Sequence, residues 1–320
     1  MRLLFALACF GFVSSILQAP VCAGEPDVWM MPPALQKGKC FRELFVRPDQ
    51  WKETRTMVDV LCYADHQLNR QFTDDELRAW LPMLKKWDLK FGLEVGAVKE
   101  WGTTGKRVFD VQRRMWDRFQ RLGGRIHAVA MDEPLFAVRK KLKKTDTYAV
   151  DETAAFVALV RKHYPDVLIG DIEPYPAIPL KDMVNWIDAL QARLKQMNVK
   201  GLDFFRLDAN WISFTVRQRG SWHEVKKIEH ACRKRGIPFS LIYWAADYPC
   251  LKTKGLADDS TWYISIFQQG HDYAAVGGSP DQYVIESWID APSRSVPETA
   301  DWTFTRSVRD FCRRFPKEKK

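Results

Sequence analysis

Short apolar, β-prone runs alternate along the chain with longer stretches in which apolar residues recur at three- and four-residue spacing. The two periods predict strands and helices in alternation. Eight runs read as strands: 27–33 (DVWMMPP, stopped by paired prolines), 57–65 (MVDVLCYAD), 89–98 (LKFGLEVGAV), 126–134 (IHAVAMDEP), 167–174 (VLIGDIEP), 202–210 (LDFFRLDAN), 239–246 (FSLIYWAA) and 283–288 (YVIESW). Between them, helices are expected over 75–87, 109–124, 153–165, 181–198, 222–236, 259–278 and 303–315. Pro82 falls inside the first, but Leu77, Trp80, Leu81 and Leu84 still recur at helical spacing. Gly123-Gly124 and Gly236 end two of these helices, Pro165 ends another, and Asp151 or Thr153 and Ser221 serve as caps.

Eight such alternations without a linker or repeat array predict an α/β fold, a single (β/α)8 TIM barrel over residues 24–320. An open α/β sheet is the rival. The first 23 residues are set apart: a short basic start at Arg2, the apolar run LLFALACFGFV, and small residues around Val21-Cys22-Ala23 form a secretory signal pattern. This reading places the mature chain in the periplasm or outside the cell. A retained membrane anchor is the competing reading, disfavoured by the shortness of the apolar run.

Charge narrows the partners without naming one. The chain carries 49 Lys and Arg against 40 Asp and Glu, a formal net charge of +9. Its basic clusters, at 140–144, 233–235 and 317–320, are separated and match no nucleic-acid motif. They read as solvated faces, so neither nucleic acid nor stable membrane insertion after signal cleavage is expected. Five cysteines beyond the leader are widely spaced, with no CxxC pair, and leave room for one or two bridges.

The candidate chemistry lies in acidic strand ends. Asp132-Glu133 closes the fourth run before Pro134; Asp171 and Glu173 close the fifth; Asp203 and Asp208 flank the sixth; Glu286 closes the eighth; and Glu94 sits inside the third. In a barrel all strand ends open on one catalytic face, and two carboxylates can divide acid and base roles there. The chain at this point resembles the TIM-barrel glycoside hydrolase superfamily. In its large clan of cellulases and β-glycosidases, an Asn-Glu-Pro sequence after strand four carries the general acid. Asp132-Glu133-Pro134 looks like a variant of that motif, which implies Glu133 as proton donor and Asp132 as a sugar-orienting neighbour.

The second carboxylate stays open. The clan's nucleophile ends strand seven, where FSLIYWAA carries no glutamate. Glu173 is the working choice, with Glu286 nearly level. Asp171 and Asp203 read as orienters, Asp208 and Glu94 as further substrate contacts. Aromatics near strand ends (Trp29, Tyr63, Trp101, Tyr175, Trp211, Tyr243, Trp244 and Trp288) suit sugar faces, though most tryptophans in a barrel pack its core. Trp288 and Tyr175 stand first because each lies beside a carboxylate. No phosphate loop, GxSxG elbow or HExxH motif is present, and the six histidines are dispersed, so no cofactor and no metal is expected. The expected activity is cleavage of a polysaccharide or oligosaccharide by an exported glycoside hydrolase. A non-catalytic polysaccharide-binding barrel and a metal-dependent carbohydrate-processing enzyme are the alternatives.

Overall fold

Each of the eight apolar runs forms a strand in the computed structural model, which describes residues 27–315. The expected leader lies outside the described residues. In chain order the strands are β1 (Asp27–Met31), β2 (Val60–Ala64), β3 (Lys90–Val95), β4 (Ala128–Asp132), β5 (Leu168–Tyr175), β6 (Phe204–Ala209), β7 (Phe239–Tyr243) and β8 (Gln282–Glu286). Every strand pairs in parallel with its sequence neighbours, and β8 returns to β1 with Asp27 opposite Gln282 and Met31 opposite Glu286. That last pairing closes a (β/α)8 barrel and removes the open-sheet alternative.

Strands buried on both faces read as continuous apolar runs, and here one face packs the barrel interior while the other packs the helices. Inside, the Trp29 and Phe204 rings lie 5.4 Å apart. Two glycines make room for them. A Cβ on Gly92 would stand 2.9 Å from Cys62 Sγ and 3.1 Å from the Trp29 ring, and one on Gly170 would run into the Phe204 ring. Outside, Phe311 of the final helix, Phe304–Arg314, packs 4.7 Å from Tyr243 and 5.7 Å from Tyr283 between ring centroids.

The long helices arise where the apolar period predicts them, with caps that refine their starts. Helix Asp74–Lys86 runs through Pro82 and opens with a capping box in which Thr73 and Glu76 bond each other's backbone N–H. Ser221 caps Trp222–Lys234 as expected. Helix Asp146–His163 begins earlier than expected: Thr145 is its cap, while Asp151 and Thr153 lie within it. Short helices at Lys39–Val46, Asp65–Gln71, Ile212–Thr215 and Tyr248–Thr253 elaborate the loops after β1, β2, β6 and β7. Cys40, Cys62, Cys232 and Cys250 are free thiols, the first three buried. Among the described residues no helix is long and apolar enough to cross a membrane.

Candidate active site

A cavity of about 820 Å³ opens at the C-terminal end of the barrel. Its floor and walls come from strand ends: Ala64 and Asp65 after β2, Glu94 from β3, Asp132 and Glu133 from β4, Ile172 from β5, Asp208 from β6, Ile242 and Trp244 from β7, and Glu286 and Trp288 from β8. The loop after β3 adds Lys99 and Trp101, and helix Gly105–Arg121 adds Gln112 and Met115. Two buried amides fix the rim. Gln112 holds both backbone groups of Gly96, at 2.7 and 2.9 Å, and the Gln269 oxygen accepts from the Trp244 N–H at 3.1 Å.

Glu133 has the most unusual backbone in the cavity. It joins β4 to the next helical turn in the left-handed conformation, at φ 50° and ψ 50°. Its N–H donates to the Ile172 carbonyl at 3.0 Å and its carbonyl accepts from Ala137 at 2.9 Å, so both sides hold the strained turn. A non-glycine residue there costs on the order of 1–3 kcal/mol and persists where the surroundings over-determine it. The turn leaves the Glu133 side chain lining the cavity beside Asp132. Burial, then the Asp132 and Asp208 charges, push its carboxyl up to about 8 against the pull of Lys99 and Lys141. At neutral pH it therefore carries a proton.

Of the other cavity acids, only Asp132 is ion-paired to a lysine or arginine. Asp132 Oδ2 meets Lys99 Nζ at 2.5 Å. Burial opposes the Lys99 charge, but Asp132 outweighs it and raises the ammonium pKa. Asp208 is pushed up to about 7 by burial and Glu286, and Asp65 to about 7 by burial. Glu286 rises to about 7 through burial, with Arg206 and the Trp288 N–H, 3.0 Å from Oε1, pulling the other way. Glu94 is raised well above the usual range by burial and then by Glu286 and Asp132. One oxygen on each of Asp65, Glu94, Asp208 and Glu286 is buried without a hydrogen-bond partner.

Beneath the cavity lies Arg206, 2 % exposed and two residues before Asp208 on the same face of β6. Its guanidinium stacks over Trp29 at 4.6 Å and Phe204 at 5.2 Å, while Nε and Nη2 have no hydrogen-bond partner. It counters Glu286 and Glu94 electrostatically. Sequence reading overlooked it, although an arginine inside LDFFRLDAN gives the same signal as Glu94 inside LKFGLEVGAV. Asp65 and Lys99 were also missed; each sits just past a strand, where polar residues are commonplace.

Of the expected site residues, the structure gathers Glu94, Asp132, Glu133, Asp208, Glu286, Trp244 and Trp288 around the cavity, with Trp101 at its mouth. The β5 acids are elsewhere. Asp171 and Glu173 do share a face, but it is the outer one: Asp171 accepts from the Trp186 indole at 2.6 Å, and Glu173 accepts from the Leu135 and Phe136 N–H groups at 2.6 and 3.2 Å. Glu173 is thus an anchor for the helical turn after Glu133, not a second catalytic carboxylate. Asp203 lies before β6, at the opposite end of the barrel, bound to Arg161 and Lys200 at 2.6 Å each. Tyr175 faces outward and bonds Glu224. Tyr243 packs against Phe311, and Trp211, 7 % exposed, is a core residue.

No protein-family model matches the chain, and no curated protein matches it. Solved structures do. The YdjI aldolase of Escherichia coli K12 is 10 % identical, with a TM-score of 0.47, 92 % of this chain and 93 % of that one covered. A xylose isomerase domain-containing protein of Salmonella typhimurium LT2 is 11 % identical, with a TM-score of 0.49 and coverages of 89 % and 94 %. The HMG-CoA lyase of Bacillus subtilis is 9 % identical, with a TM-score of 0.48 and coverages of 91 % and 92 %. They share the barrel with this chain.

The strand ends do not carry the carboxylate pair expected of a glycoside hydrolase: Glu173 is turned outward, and β7 ends without an acid. Glu286 does end the eighth strand and β7 ends without a carboxylate, so the departure from the clan's layout is a property of the chain rather than a miscount.

Proposed function

We propose that the protein is an enzyme that moves protons on a small organic molecule held in the C-terminal cavity. Glu133 donates and Asp208 accepts, in an isomerisation or elimination at a carbon next to oxygen. The observation that carries this reading is Glu133 itself: a carboxyl held protonated at neutral pH by burial and flanking acids, on a strained turn that commits it to the cavity. General acid–base catalysis works best with groups that titrate near the operating pH. Glu133 and Asp208, at about 8 and about 7, supply an acid and a base offset in the right order.

The surrounding residues support those two roles. Lys99 neutralises Asp132, so that only part of the acidic charge around Glu133 stays uncompensated. Glu173 sets the helical turn that follows Glu133 through two backbone N–H groups. Trp244 and Trp288 give the cavity apolar walls that exclude water.

The test is solvent exchange. Purified protein is incubated in deuterium oxide with a panel of α-hydroxycarbonyl compounds, some neutral and some bearing an amine (amino sugars), and carbon-bound deuterium is read by NMR. Incorporation by wild type that drops about 10²–10⁴-fold in folded Glu133→Gln and Asp208→Asn supports the assignment. Incorporation that survives both substitutions refutes it.

A further inference from the structure

We infer that the substrate of this cavity carries a protonated amine with free N–H donors. The inference rests on the proton-transfer reading for the site but concerns the charge of what enters it. Six carboxyl groups line the cavity: Asp65, Glu94, Asp132, Glu133, Asp208 and Glu286. Their counter-charges are few. Lys99 is committed to Asp132 at 2.5 Å, Arg206 lies below the floor against Trp29 and Phe204, and Arg70 is exposed at the rim. His66 approaches Asp65 only to 3.8 Å, and burial and Arg70 lower its pKa.

Charge is one half of the argument and unmet hydrogen bonding the other. Glu286 and Glu94 are 2 % and 9 % exposed, and each keeps a buried oxygen without a partner, whereas the Trp116 and Trp244 indoles favour the Asp65 and Asp208 carboxylates. Buried polar atoms of this kind ordinarily find a partner in protein, water or ligand. An anionic or phosphorylated ligand meets repulsion here. A neutral polyol can bond the oxygens but leaves the carboxyl charge to be cancelled by protons alone. An ammonium group does both, donating N–H to the acceptors while supplying the missing positive charge.

The walls fit the same ligand, because Trp244 and Trp288 line the cavity, and indole rings attract cations when solvent is excluded. A quaternary ammonium suits such rings but has no N–H to give the orphan oxygens. A bare metal ion is disfavoured by geometry: among the described residues no three His, Cys, Asp or Glu side chains are grouped as ligands. A cavity of about 820 Å³ also exceeds what one ion fills.

A signature follows from the raised carboxyl pKa values. In the ligand-free cavity Asp208 and Glu286 hold protons that an ammonium must displace, while Glu133 keeps its own, so binding releases protons and strengthens as pH rises from 6 to 8. The probe pair is glucamine, cationic throughout that range, and sorbitol, its neutral counterpart. Isothermal titration at pH 8 is expected to show glucamine binding about tenfold or more tighter than sorbitol. The preference should shrink at pH 6, and the heat should vary with buffer ionisation enthalpy. Folded Glu286→Gln, checked by its melting curve, should narrow the gap.

Equal binding of the two probes overturns the inference. So does binding of neither at millimolar concentration, or displacement of glucamine by micromolar zinc or calcium. The two readings fail separately. Deuterium exchange confined to neutral compounds leaves the proton-transfer reading standing and removes the amine. Proton-releasing glucamine binding without exchange on any compound does the reverse.

Discussion

The ends of β5 and β8 look alike in sequence: DIEP closes one and VIES the other, each a carboxylate after an apolar run. In space they do opposite work. Glu286 faces inward, into a cavity shared with Glu94 and Asp208, with one oxygen left unbonded. Glu173 faces outward, and both of its oxygens are consumed by the first N–H groups of the turn that follows Glu133. Side chains alternate across a strand, so a single residue of register separates the two outcomes. An acid at a strand end is therefore evidence for a site only once its face is known.

The largest effect that separates the two regions concerns turnover. Glu133→Gln, on the inner face, should lower proton-transfer activity by about 10²–10⁴-fold, whereas Asp171→Asn on the outer face should leave it unchanged, both read in the exchange assay. Glu133→Gly should abolish activity yet raise stability by about 1 kcal/mol, since glycine accepts the left-handed backbone without strain. A gain in stability from an active-site deletion, measured by urea unfolding, would confirm that the turn is strained.

Next in size is a stability effect in the opposite direction. Glu173→Ala strips the acceptors from two backbone N–H groups, one of them buried, and should cost about 2–3 kcal/mol by urea unfolding. Glu286→Gln, an equally buried acid, should cost little at neutral pH because its carboxylate is countered only by Arg206 and the Trp288 N–H. If both substitutions destabilise alike, the division between anchor and cavity acid is wrong.

A pH effect spreads over the cavity acids together. Asp65, Asp208 and Glu286 at about 7, and Glu133 at about 8, hold protons more tightly folded than unfolded, where carboxyls titrate near 4. Between those limits the native state binds more protons, so stability is full at the acidic end and declines as pH rises toward 8. Melting temperature should fall from pH 5 to pH 8, and the Asp208→Asn, Glu286→Gln double variant should flatten that slope. A melting temperature that climbs over this range would show that the cavity acids are not held protonated.

Smallest is Asp171→Asn. Burial pushes Asp171 up to about 8, so it is already largely neutral at pH 7, and an asparagine oxygen can still accept from the Trp186 indole. Stability should change by about 1 kcal/mol or less, which the same urea titrations would register.

Much of the fold was legible because it depends on local pattern. Apolar runs such as VLCYA and FSLIY are strands whatever surrounds them, and the helical period of 75–87 survived even Pro82. Their number and alternation sufficed for a barrel, and the polar interruptions Glu94 and Asp208 were visible as breaks in apolar runs. The resemblance at Asp132-Glu133-Pro134 pointed to Glu133, which does line the cavity, but three residues fix a turn and not a reaction.

The chain by itself thus determined the eight strands, their order and the acid at the end of β4. Only the tertiary structure decided which acids meet. Asp65, Glu94, Asp208 and Glu286 lie far apart in sequence and converge because β8 closes on β1, while Glu173 and Asp171, about as far from Glu133 along the chain as Glu94 is, are turned away by the pleat of one strand. Arg206 makes the same point from below: it lies over the Trp29 and Phe204 rings, for which glycines at 92 and 170 leave room in the barrel interior. Local pattern sets what each segment is, but barrel closure and strand parity set what each side chain faces, and those are properties of the whole sheet.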